Sequence, residues 1–315
     1  MKQPIMEKTA YLPAKGFEAE LEAEIGPVAS RIGRLLLTDA PAIPSIWAQN
    51  IWYEPEIIAI ESVKKVAAAL RARQRNWALY DYAGLFQQGL HGKAKLIQEN
   101  LPHISSKLIV FPLPPPTAPM GSWTLVDDKH IIASSRCSSA YRNGEVIFDE
   151  DKTEPPNRAY LKLWEFFTVS GAVMQPGALC LDLGASPGGW SWVLSRLGAR
   201  VISIDKAPLA PHIAAMPRID YRPWSAFALE PKTHEPVDWL FSDIACYPER
   251  LLKLVQRWLE SGKVKNFCCT IKLQGDTDHE AVRAFAAIEG SHVRHLYNNK
   301  HELTWWRLAP EGAAG

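Results

Sequence analysis

The sequence predicts an α/β fold in the C-terminal half, with a mostly parallel sheet closed by an antiparallel hairpin, and a smaller α+β domain in the N-terminal half. From residue 179 onward, short apolar runs of strand length alternate with helical patterns. A glycine-rich turn joins the first of these runs to a helix, as in Rossmann-like sheets. Residues 9–37 follow a strand–helix–strand order instead. We therefore predict an N-terminal domain over residues 1–150 and a Rossmann-like domain over residues 151–315.

Composition limits the classes of protein to which the chain can belong. Its 315 residues are 47% hydrophobic, which is enough for about two domains with buried cores. A net charge of +1 indicates neither a nucleic-acid nor a membrane partner, so any basic binding surface must be local. The five cysteines show no metal-type spacing, and residues 1–8 lack an apolar signal core. We expect a soluble cytoplasmic protein with no metal and no membrane partner.

The stretch of residues 179–205 organises the C-terminal half. An apolar run containing Asp182 is followed by a glycine-rich turn and an amphipathic segment, which predicts strand, tight turn and helix. The turn consists of Gly184, Ala185, Ser186, Pro187, Gly188, Gly189 and Trp190. A second apolar run ends at Asp205, 23 positions after Asp182. That spacing is typical of a second-strand carboxylate that binds ribose hydroxyls.

The residues of the turn discriminate between nucleotide ligands. The dinucleotide fingerprint needs glycine at its first, third and sixth positions, and Ala185-Ser186-Pro187 interrupts that pattern. The Gly-Lys-Ser/Thr of a phosphate-binding loop is also missing from the turn. S-adenosylmethionine fits, because its ribose can bind Asp205 and its amino acid end can bind the turn and the helix N-terminus. A purely structural turn is the alternative.

Further apolar runs continue the alternation of strands and helices beyond residue 205. Pro248 and Gly262 mark the start and the end of one helix, because proline is favoured in the first helical turn and glycine after the last. Two closing strands with a short connection predict an antiparallel hairpin at the edge of the sheet. The strands are predicted at residues 237–243, 266–272, 292–297 and 302–308, and two further helices at residues 157–169 and 278–289.

The N-terminal half contains a basic segment interleaved with aromatic residues. Between residues 61 and 107, eight Lys/Arg stand against three acids, a local balance of +5. Arg71, Arg73 and Arg75 lie on or near a helix that is predicted to begin around Pro55. The aromatic residues that follow are Trp77, Tyr80, Tyr82 and Phe86. The pattern suits binding of RNA backbone and unstacked bases, and a solvated helix face beside core aromatics is the alternative.

Two further segments of the N-terminal half have a distinctive composition. Residues 110–119 are rich in proline, which indicates an extended linker, or an ordered crossing strand because apolar residues flank the segment. Strand-like runs follow at residues 123–126, 129–134 and 145–148. The turn Arg142-Asn143-Gly144 before the last run predicts a β-hairpin.

Four charged residues lie at or near the ends of predicted C-terminal elements. Asp243 ends one strand, Lys272 ends the next, and Glu302 begins the last. Lys162 lies on the helix before the strand that contains Asp182. Because ligands of open α/β sheets bind at the carboxyl ends of the strands, we expect Asp243 and Lys272 to face the same crevice as Asp182.

These four residues and their surroundings resemble the FtsJ-like family of ribose 2′-O-methyltransferases, and most closely its RlmM-like group, which modifies large-subunit ribosomal RNA. The resemblance covers residues 155–308, and residues 15–18 resemble the start of that group's accessory region. It implies that the family's Lys-Asp-Lys-Glu tetrad corresponds to the four charged residues. The matching segments are residues 158–163, 181–190, 237–239, 271–273, 296–297 and 302–304.

One contact of the family has no acidic counterpart in this sequence. The relatives carry an acid after the third strand that binds the adenine amino group, and Ser225 occupies the corresponding place. Trp224 beside it would either stack on the adenine base or belong to the core. We expect Trp224, Ser225 and Asp243 to complete the cofactor site.

The chemistry of methyl transfer explains why lysines and carboxylates are needed together. A ribose hydroxyl is a weak acid, so the enzyme must take its proton and align it with the electrophilic methyl group. A lysine can act as the base only if desolvation or a second cation lowers its pKa. We predict Lys272 as the base, Lys162 as the second cation, and Asp243 and Glu302 as the groups that orient them and the ribose. Two ordinary salt bridges are the structural alternative.

The sequence therefore predicts an S-adenosylmethionine-dependent RNA (ribose-2′-O-)-methyltransferase that acts on ribosomal RNA and binds it through the N-terminal region. The alternatives are a small-molecule O-methyltransferase and an RNA-binding protein with a vestigial methyltransferase fold. The complete tetrad argues against the vestigial fold, and the basic–aromatic segment argues against the small-molecule enzyme.

Overall fold

The computed structural model describes residues 9–104 and 108–310, and the chain divides into two compact units. One unit comprises Met1–Ile109 and Pro115–Ile147, and the other comprises Val110–Pro114 and Phe148–Gly315. The N-terminal segment 1–8 and Lys107 of the basic segment, both used in the sequence predictions, lie outside the described residues.

Within residues 9–104 and 115–147, the N-terminal unit is built from two sheets and four α-helices. Its strands are β1 (Thr9–Pro13), β2 (Ser30–Ile32), β3 (Leu35–Thr38), β4 (Ala48–Tyr53), β5 (Glu56–Ala59), β6 (Trp77–Leu79), β7 (Gly121–Leu125), β8 (His130–Ser134) and β9 (Arg136–Cys137). Its helices are α1 (Glu18–Ile25), α2 (Val63–Arg73), α3 (Ala83–Gln87) and α4 (His91–Glu99). The first sheet has the antiparallel order β2-β3-β1-β4-β9, and the second has the order β5-β8-β7-β6 with β6 and β7 parallel. The predicted α+β organisation is confirmed.

Two of the four aromatic residues in the basic segment belong to the core of this unit. Trp77 is buried among the residues of α2 and α4, and its Nε1 donates a hydrogen bond to the Leu70 carbonyl at 3.0 Å. Tyr80 is buried against the first sheet, and its hydroxyl accepts a hydrogen bond from Arg34 N at 2.9 Å. These two rings are therefore core aromatics, while the Phe86 ring is exposed.

The predicted start of the basic helix is wrong. Glu56–Ala59 forms strand β5, which pairs with β8, and the helix begins only at Val63. Ser62 supplies the N-cap, because its side chain accepts a hydrogen bond from Lys65 N. A strand of only four residues has a weak local signal, which explains the difference.

The predicted hairpin around Asn143 is also wrong. Arg142–Gly144 forms a short 3-10 turn, and residues 145–148 form no strand within the described chain. Asn143 instead has a positive φ of 50°, and its Nδ2 donates to the Leu79 carbonyl at 3.1 Å. The carbonyl of Asn143 accepts a hydrogen bond from Gln49 Nε2 at 2.7 Å. These bonds tie the turn to β4 and β6 rather than to a partner strand.

The proline-rich segment is not a free linker over its whole length. Val110–Pro114 groups with the C-terminal unit. The Phe111 ring stacks on Trp164 with a centroid separation of 4.9 Å and an interplanar angle of 11°. This packing contact explains why apolar residues interrupt the prolines there.

In the part of the C-terminal unit that the structure describes, which ends at residue 310, one sheet packs with five α-helices. Its strands are β10 (Leu179–Leu183), β11 (Arg200–Ile204), β12 (Ile219–Arg222), β13 (Val237–Ser242), β14 (Val264–Lys272), β15 (Ser291–Arg294) and β16 (Glu302–Arg307). Its helices are α5 (Tyr160–Ser170), α6 (Gly189–Arg196), α7 (Pro211–Ala214), α8 (Pro248–Glu260) and α9 (His279–Ala286). The predicted strand at residues 292–297 ends earlier, at Arg294, and the residues before Glu302 form a turn.

The order of the seven strands creates a crevice at the carboxyl edge of this sheet. The order is β12-β11-β10-β13-β14-β16-β15, and neighbours are parallel except around β16. The chain runs outward from β10 to β12 and then returns to β13 on the other side of β10, so the topological switch point lies between β10 and β13. The predicted Rossmann-like sheet with a C-terminal antiparallel hairpin is confirmed.

Aromatic packing fixes α5 against this sheet. Phe166 lies 6.1 Å from Trp239 between ring centroids, and Phe167 lies 6.2 Å from Phe241. All four rings are buried. Because α5 carries Lys162, this packing sets the position of that lysine above the strands.

Candidate functional site

Two glycines in the turn after β10 are required by the backbone. Gly184 has a φ of 77°, and a Cβ there would lie 2.6 Å from Ile244 Cγ1. Gly188 has a φ of 114°, and a Cβ there would lie 2.6 Å from Ile213 Cγ2. A side chain at either position would strain the backbone and collide with an isoleucine. Helix α6 begins at Gly189, so its positive N-terminus lies at the carboxyl edge of the sheet.

The other residues of the turn are fixed by their own contacts. Ala185 is buried, and the carbonyl of Pro187 accepts a hydrogen bond from Ala210 N at 2.9 Å. The Trp190 ring is buried too, and its Nε1 donates to the Ala159 carbonyl at 3.0 Å. The backbone of the turn, rather than the Trp190 ring, is therefore the part that can meet a ligand.

Asp182 is a fully buried carboxyl group on β10. Its Oδ2 accepts a hydrogen bond from Ser191 Oγ at 2.6 Å, and that hydroxyl lies 2.7 Å from Ser203 Oγ. Its Oδ1 has no hydrogen-bond partner among the described residues. Burial raises the pKa of Asp182 to about 7, because the hydrogen bond from Ser191 offsets the lost hydration only in part.

Asp205 follows β11 and reaches the glycine-rich turn. Its Oδ2 accepts a hydrogen bond from Ser186 N at 3.0 Å, and its Oδ1 accepts one from Ala207 N at 2.9 Å. An ionised carboxylate has about four lone-pair sites, so both oxygens can accept a further hydroxyl. The structure thus brings together Asp205 and the turn, which the sequence spacing had linked.

The four charged residues form one closed network of alternating charges. Lys162 Nζ lies 2.7 Å from Asp243 Oδ2 and 3.1 Å from Glu302 Oε1. Lys272 Nζ donates to both carboxylates as well. The antiparallel pairing of β14 with β16 sets Lys272 directly opposite Glu302. Only 10% of the Lys162 side chain and 8% of Glu302 are exposed, whereas 21% of Lys272 is, so Lys272 is the more accessible cation.

The charges in this network stabilise one another. Burial alone would raise the pKa of Asp243, but Lys162 and Lys272 hold it below its usual value. Burial alone would lower the pKa of Lys272, but the carboxylates of Asp243 and Glu302 outweigh burial and raise it. The expectation of a lowered pKa for Lys272 is therefore wrong, because both carboxylates lie between the two lysines.

Two residues that the sequence analysis did not single out support the network. Thr270 Oγ1 donates a hydrogen bond to Asp243 Oδ1 at 2.5 Å. Glu165, three positions after Lys162 on α5, binds the turn that precedes Glu302. The alternation of side chains along a strand puts Thr270 on the same face as Lys272, and this was the available signal. No local pattern marks Glu165.

Trp224 and Ser225 follow β12, at the outer edge of the sheet next to the strand that leads to Asp205. Trp224 is 48% exposed, so the interpretation of this residue as a core tryptophan is wrong. Arg222 Cζ lies 5.3 Å from the centroid of the Trp224 ring, so the guanidinium group covers one face of the indole. Ser225 is half-buried, and its carbonyl accepts a hydrogen bond from Ala228 N at 3.0 Å.

The described residues also bear on the predictions for cysteine chemistry, metal binding and membrane spans. All five cysteines are free, and burial raises the pKa of Cys246, the one nearest to Asp243 in sequence, which makes it a poor nucleophile. Within residues 9–104 and 108–310, no group of three or more His, Cys, Asp or Glu could hold a metal. None of the described helices is long and apolar enough to cross a membrane.

Residues 155–288 match the family described as FtsJ-like methyltransferase. The ribosomal RNA large subunit methyltransferase M of Halorhodospira halophila is 34% identical over 157 residues, which cover 47% of this chain and 46% of that protein. The protein of the same name from Aromatoleum aromaticum is 31% identical over 51% of this chain and 47% of its own length. A third, from Xanthomonas oryzae, is 26% identical over 82% of this chain and 84% of its own length.

The aligned part spans about half the length of the first two relatives. The match confirms the predicted resemblance of residues 155–288 to the FtsJ-like methyltransferases.

Proposed function

We propose that the chain, in which residues 155–288 form an FtsJ-like methyltransferase domain, methylates a ribose 2′-hydroxyl of RNA, with ribosomal RNA as the substrate. The observation that carries this proposal is the closed network of Lys162, Asp243, Lys272 and Glu302 at the carboxyl edge of the sheet. Two lysines and two carboxylates in contact can accept hydrogen bonds from a hydroxyl, donate to its oxygen and take up its proton.

The residues around β10 suit S-adenosylmethionine, which when bound supplies an electrophilic methyl group on a cationic sulfur. Asp205 would hold the ribose hydroxyls, and the backbone at Gly184–Gly189 with the N-terminus of α6 would hold the amino acid end. The unpartnered Oδ1 of Asp182 is a buried acceptor that fits a donor group there. Trp224 and Ser225 would border the adenine. Asp243 would lie beside the methyl group.

The protein's own part in the reaction is to position the hydroxyl and remove its proton. Lys272 is the more accessible of the two lysines in the network and is the group that receives the proton at Nζ. Lys272 must first release its own proton to solvent, and the carboxylates of Asp243 and Glu302, which raise its pKa, oppose that release. Lys162 keeps both carboxylates in position, so that they do not turn away when Lys272 becomes neutral.

Analysis of the labelled nucleosides tests this function. Incubating the protein with methyl-labelled S-adenosylmethionine and unmodified ribosomal RNA, followed by digestion, should place the label in a 2′-O-methylnucleoside. The variant Asp205→Ala should lose both the label and affinity for S-adenosylhomocysteine, while Lys265→Ala, a change in an exposed residue near the start of β14, should keep both. Label on a base would refute the assignment of the tetrad. Binding of S-adenosylhomocysteine without labelling of any RNA would favour a small-molecule substrate.

We also propose that the N-terminal unit binds RNA through the basic segment at residues 61–107. Arg71, Arg73 and Arg75 are exposed at the end of α2 and just beyond it. Arg73 pairs with Glu56, and Arg71 donates to a backbone carbonyl. These contacts hold both guanidinium groups at the protein surface. Contacts to phosphate need such surface cations and are independent of base sequence.

The triple variant Arg71→Ala/Arg73→Ala/Arg75→Ala should bind structured ribosomal RNA more weakly and with a smaller dependence on salt. Each lost phosphate contact reduces the slope of log affinity against log salt concentration by about 0.7–0.9, so three lost contacts reduce it by roughly 2–3. Fluorescence anisotropy at several salt concentrations measures the slope. If the slope of the triple variant equals that of Lys265→Ala, the segment does not contact RNA.

A further inference from the structure

The turn at residues 295–301 leads directly into Glu302 and is held by buried polar groups. His295 and Asn299 are buried, although both side chains are polar. The ring Nε2 of His295 lies 3.0 Å from the Lys300 carbonyl, and Asn299 Nδ2 donates to Thr304 Oγ1 at 3.0 Å. A turn that only connected two strands would not need these buried polar groups, because exposed connections are satisfied by water.

Glu165 fixes this turn from the opposite side. Its carboxylate is buried, and it accepts hydrogen bonds from Tyr297 N at 2.7 Å, from Asn298 N at 2.6 Å and from Asn298 Nδ2 at 2.7 Å. Burial raises the pKa of Glu165 to about 7, although these three bonds favour the ionised form. A buried carboxyl group with three donors from one turn is a costly arrangement unless the shape of that turn matters.

Helix α5 therefore contacts both Glu302 and the turn that precedes it. Residues three apart on a helix are neighbours on its surface, so Lys162 and Glu165 lie next to each other. Lys162 binds Glu302 directly, and Glu165 binds the turn that delivers Glu302. The turn is consequently a wall of the crevice that contains the tetrad.

The turn also exposes an aromatic ring and a cation. Tyr297 is 38% exposed, and Lys300 and His301 are exposed as well. Glu302, which follows the turn directly, is buried in the network. An accessible aromatic ring and a cation on one short turn are the combination that binds an unstacked base and its phosphate in single-stranded nucleic acid.

We propose that the turn at residues 295–301 is an RNA-contact element, in which the Tyr297 ring stacks on a base next to the methylated nucleotide and Lys300 binds an adjacent phosphate. Glu165 is its positioning residue, since it touches the turn and not the RNA. This inference rests on the proposed function and specifies how the substrate enters: as an unpaired strand across the turn.

Binding of a short fluorescein-labelled single-stranded oligoribonucleotide of mixed sequence tests the two surface contacts. Tyr297→Ala should weaken binding about 10-fold, because one stacking contact is lost, and Tyr297→Phe should keep the affinity. Lys300→Ala should reduce the salt slope by about 0.7, as expected for one phosphate contact on a single strand. Lys265→Ala is the matched control for loss of a surface cation, because Lys265 lies at the start of β14 and Lys272 of the tetrad lies at its end.

Glu165→Gln tests the positioning role. A glutamine presents only one acceptor atom, so its amide nitrogen would face a backbone N–H and the turn would lose its anchor. Affinity for the oligoribonucleotide should fall about 5-fold, while affinity for S-adenosylhomocysteine stays unchanged; a general loss of folding would reduce both. Should Glu165→Gln fail to fold, the two surface variants decide the question.

The outcomes separate this inference from the proposed function. If the wild-type protein methylates RNA but Tyr297→Ala and Lys300→Ala bind the oligoribonucleotide like Lys265→Ala, the turn is not an RNA contact and the inference is refuted alone. If the wild-type protein neither binds nor methylates RNA, the proposed function fails and the inference fails with it.

Discussion

Replacing Lys272 by methionine should lower the rate of methyl transfer to RNA about 10³-fold and leave the affinity for S-adenosylhomocysteine unchanged. General-base catalysis by a positioned side chain contributes about 10²–10⁴-fold, and methionine keeps the apolar stem while removing the amine. Lys272 is the more accessible lysine of the network, so in the proposed mechanism its loss removes the group that meets the hydroxyl. Single-turnover labelling of RNA gives the rate, and calorimetry gives the affinity.

The pH profile of the wild-type enzyme tests the same role independently. Only the neutral amine can accept a proton, and the neighbouring carboxylates raise the pKa of Lys272 in the free protein. Because the raised pKa keeps the amine protonated at neutral pH, kcat/KM should rise about tenfold per pH unit from mildly acidic to mildly alkaline solution. Lys272→Arg, which retains the charge but cannot be deprotonated, should be as slow as the methionine variant. A flat profile would show that Lys272 orients the hydroxyl and that another group takes the proton.

The organisation of the C-terminal unit could be predicted because its signals are local. The apolar run before Asp182, the glycine-rich turn and the apolar run before Asp205 specify strand, turn, helix and strand in a few residues each. Because β13 and β14 are parallel neighbours, their carboxyl ends lie at the same edge of the sheet. This arrangement brings Asp243 and Lys272 together. The tetrad followed from this geometry and from the resemblance to the family.

What the sequence could not provide is the order of charges within the tetrad. The prediction of a lowered pKa for Lys272 assumed that Lys162 would be its nearest neighbour. In the structure, Asp243 and Glu302 each contact both lysines. These carboxylates raise the pKa of Lys272 instead of lowering it. That arrangement depends on the depth of α5 above the sheet, which no local pattern encodes.

Glu165 and the N-terminal unit were inaccessible for a related reason. The partners of Glu165 lie more than 130 positions away, and its place on an apolar helix face suggested no contact. In the N-terminal unit, β5 is four residues long and the turn around Asn143 is held by side-chain bonds to distant strands. Short elements that depend on such long-range contacts have weak local signals.

The largest effect on stability is expected from breaking the tetrad at Glu302. Glu302→Leu leaves two nearly buried lysines with one carboxylate, and the free energy of unfolding should fall by about 3–5 kcal/mol. Adding Lys162→Met restores neutrality, because one lysine and one carboxylate remain, and should recover most of that loss. Chemical denaturation of the wild-type, single-variant and double-variant proteins measures the free energies.

The double variant separates a catalytic network from two ordinary salt bridges. If the four residues only stabilise the fold, Lys162→Met/Glu302→Leu should regain methyl transfer together with stability. If they act on the hydroxyl, the double variant should fold well and still transfer methyl groups about 10²-fold or more slowly, because Lys272 has lost the partner that holds it opposite β16. Four ions held largely out of water in one cluster are often less favourable than a packed apolar cluster of the same volume, so their presence at the carboxyl edge supports the proposed catalytic role.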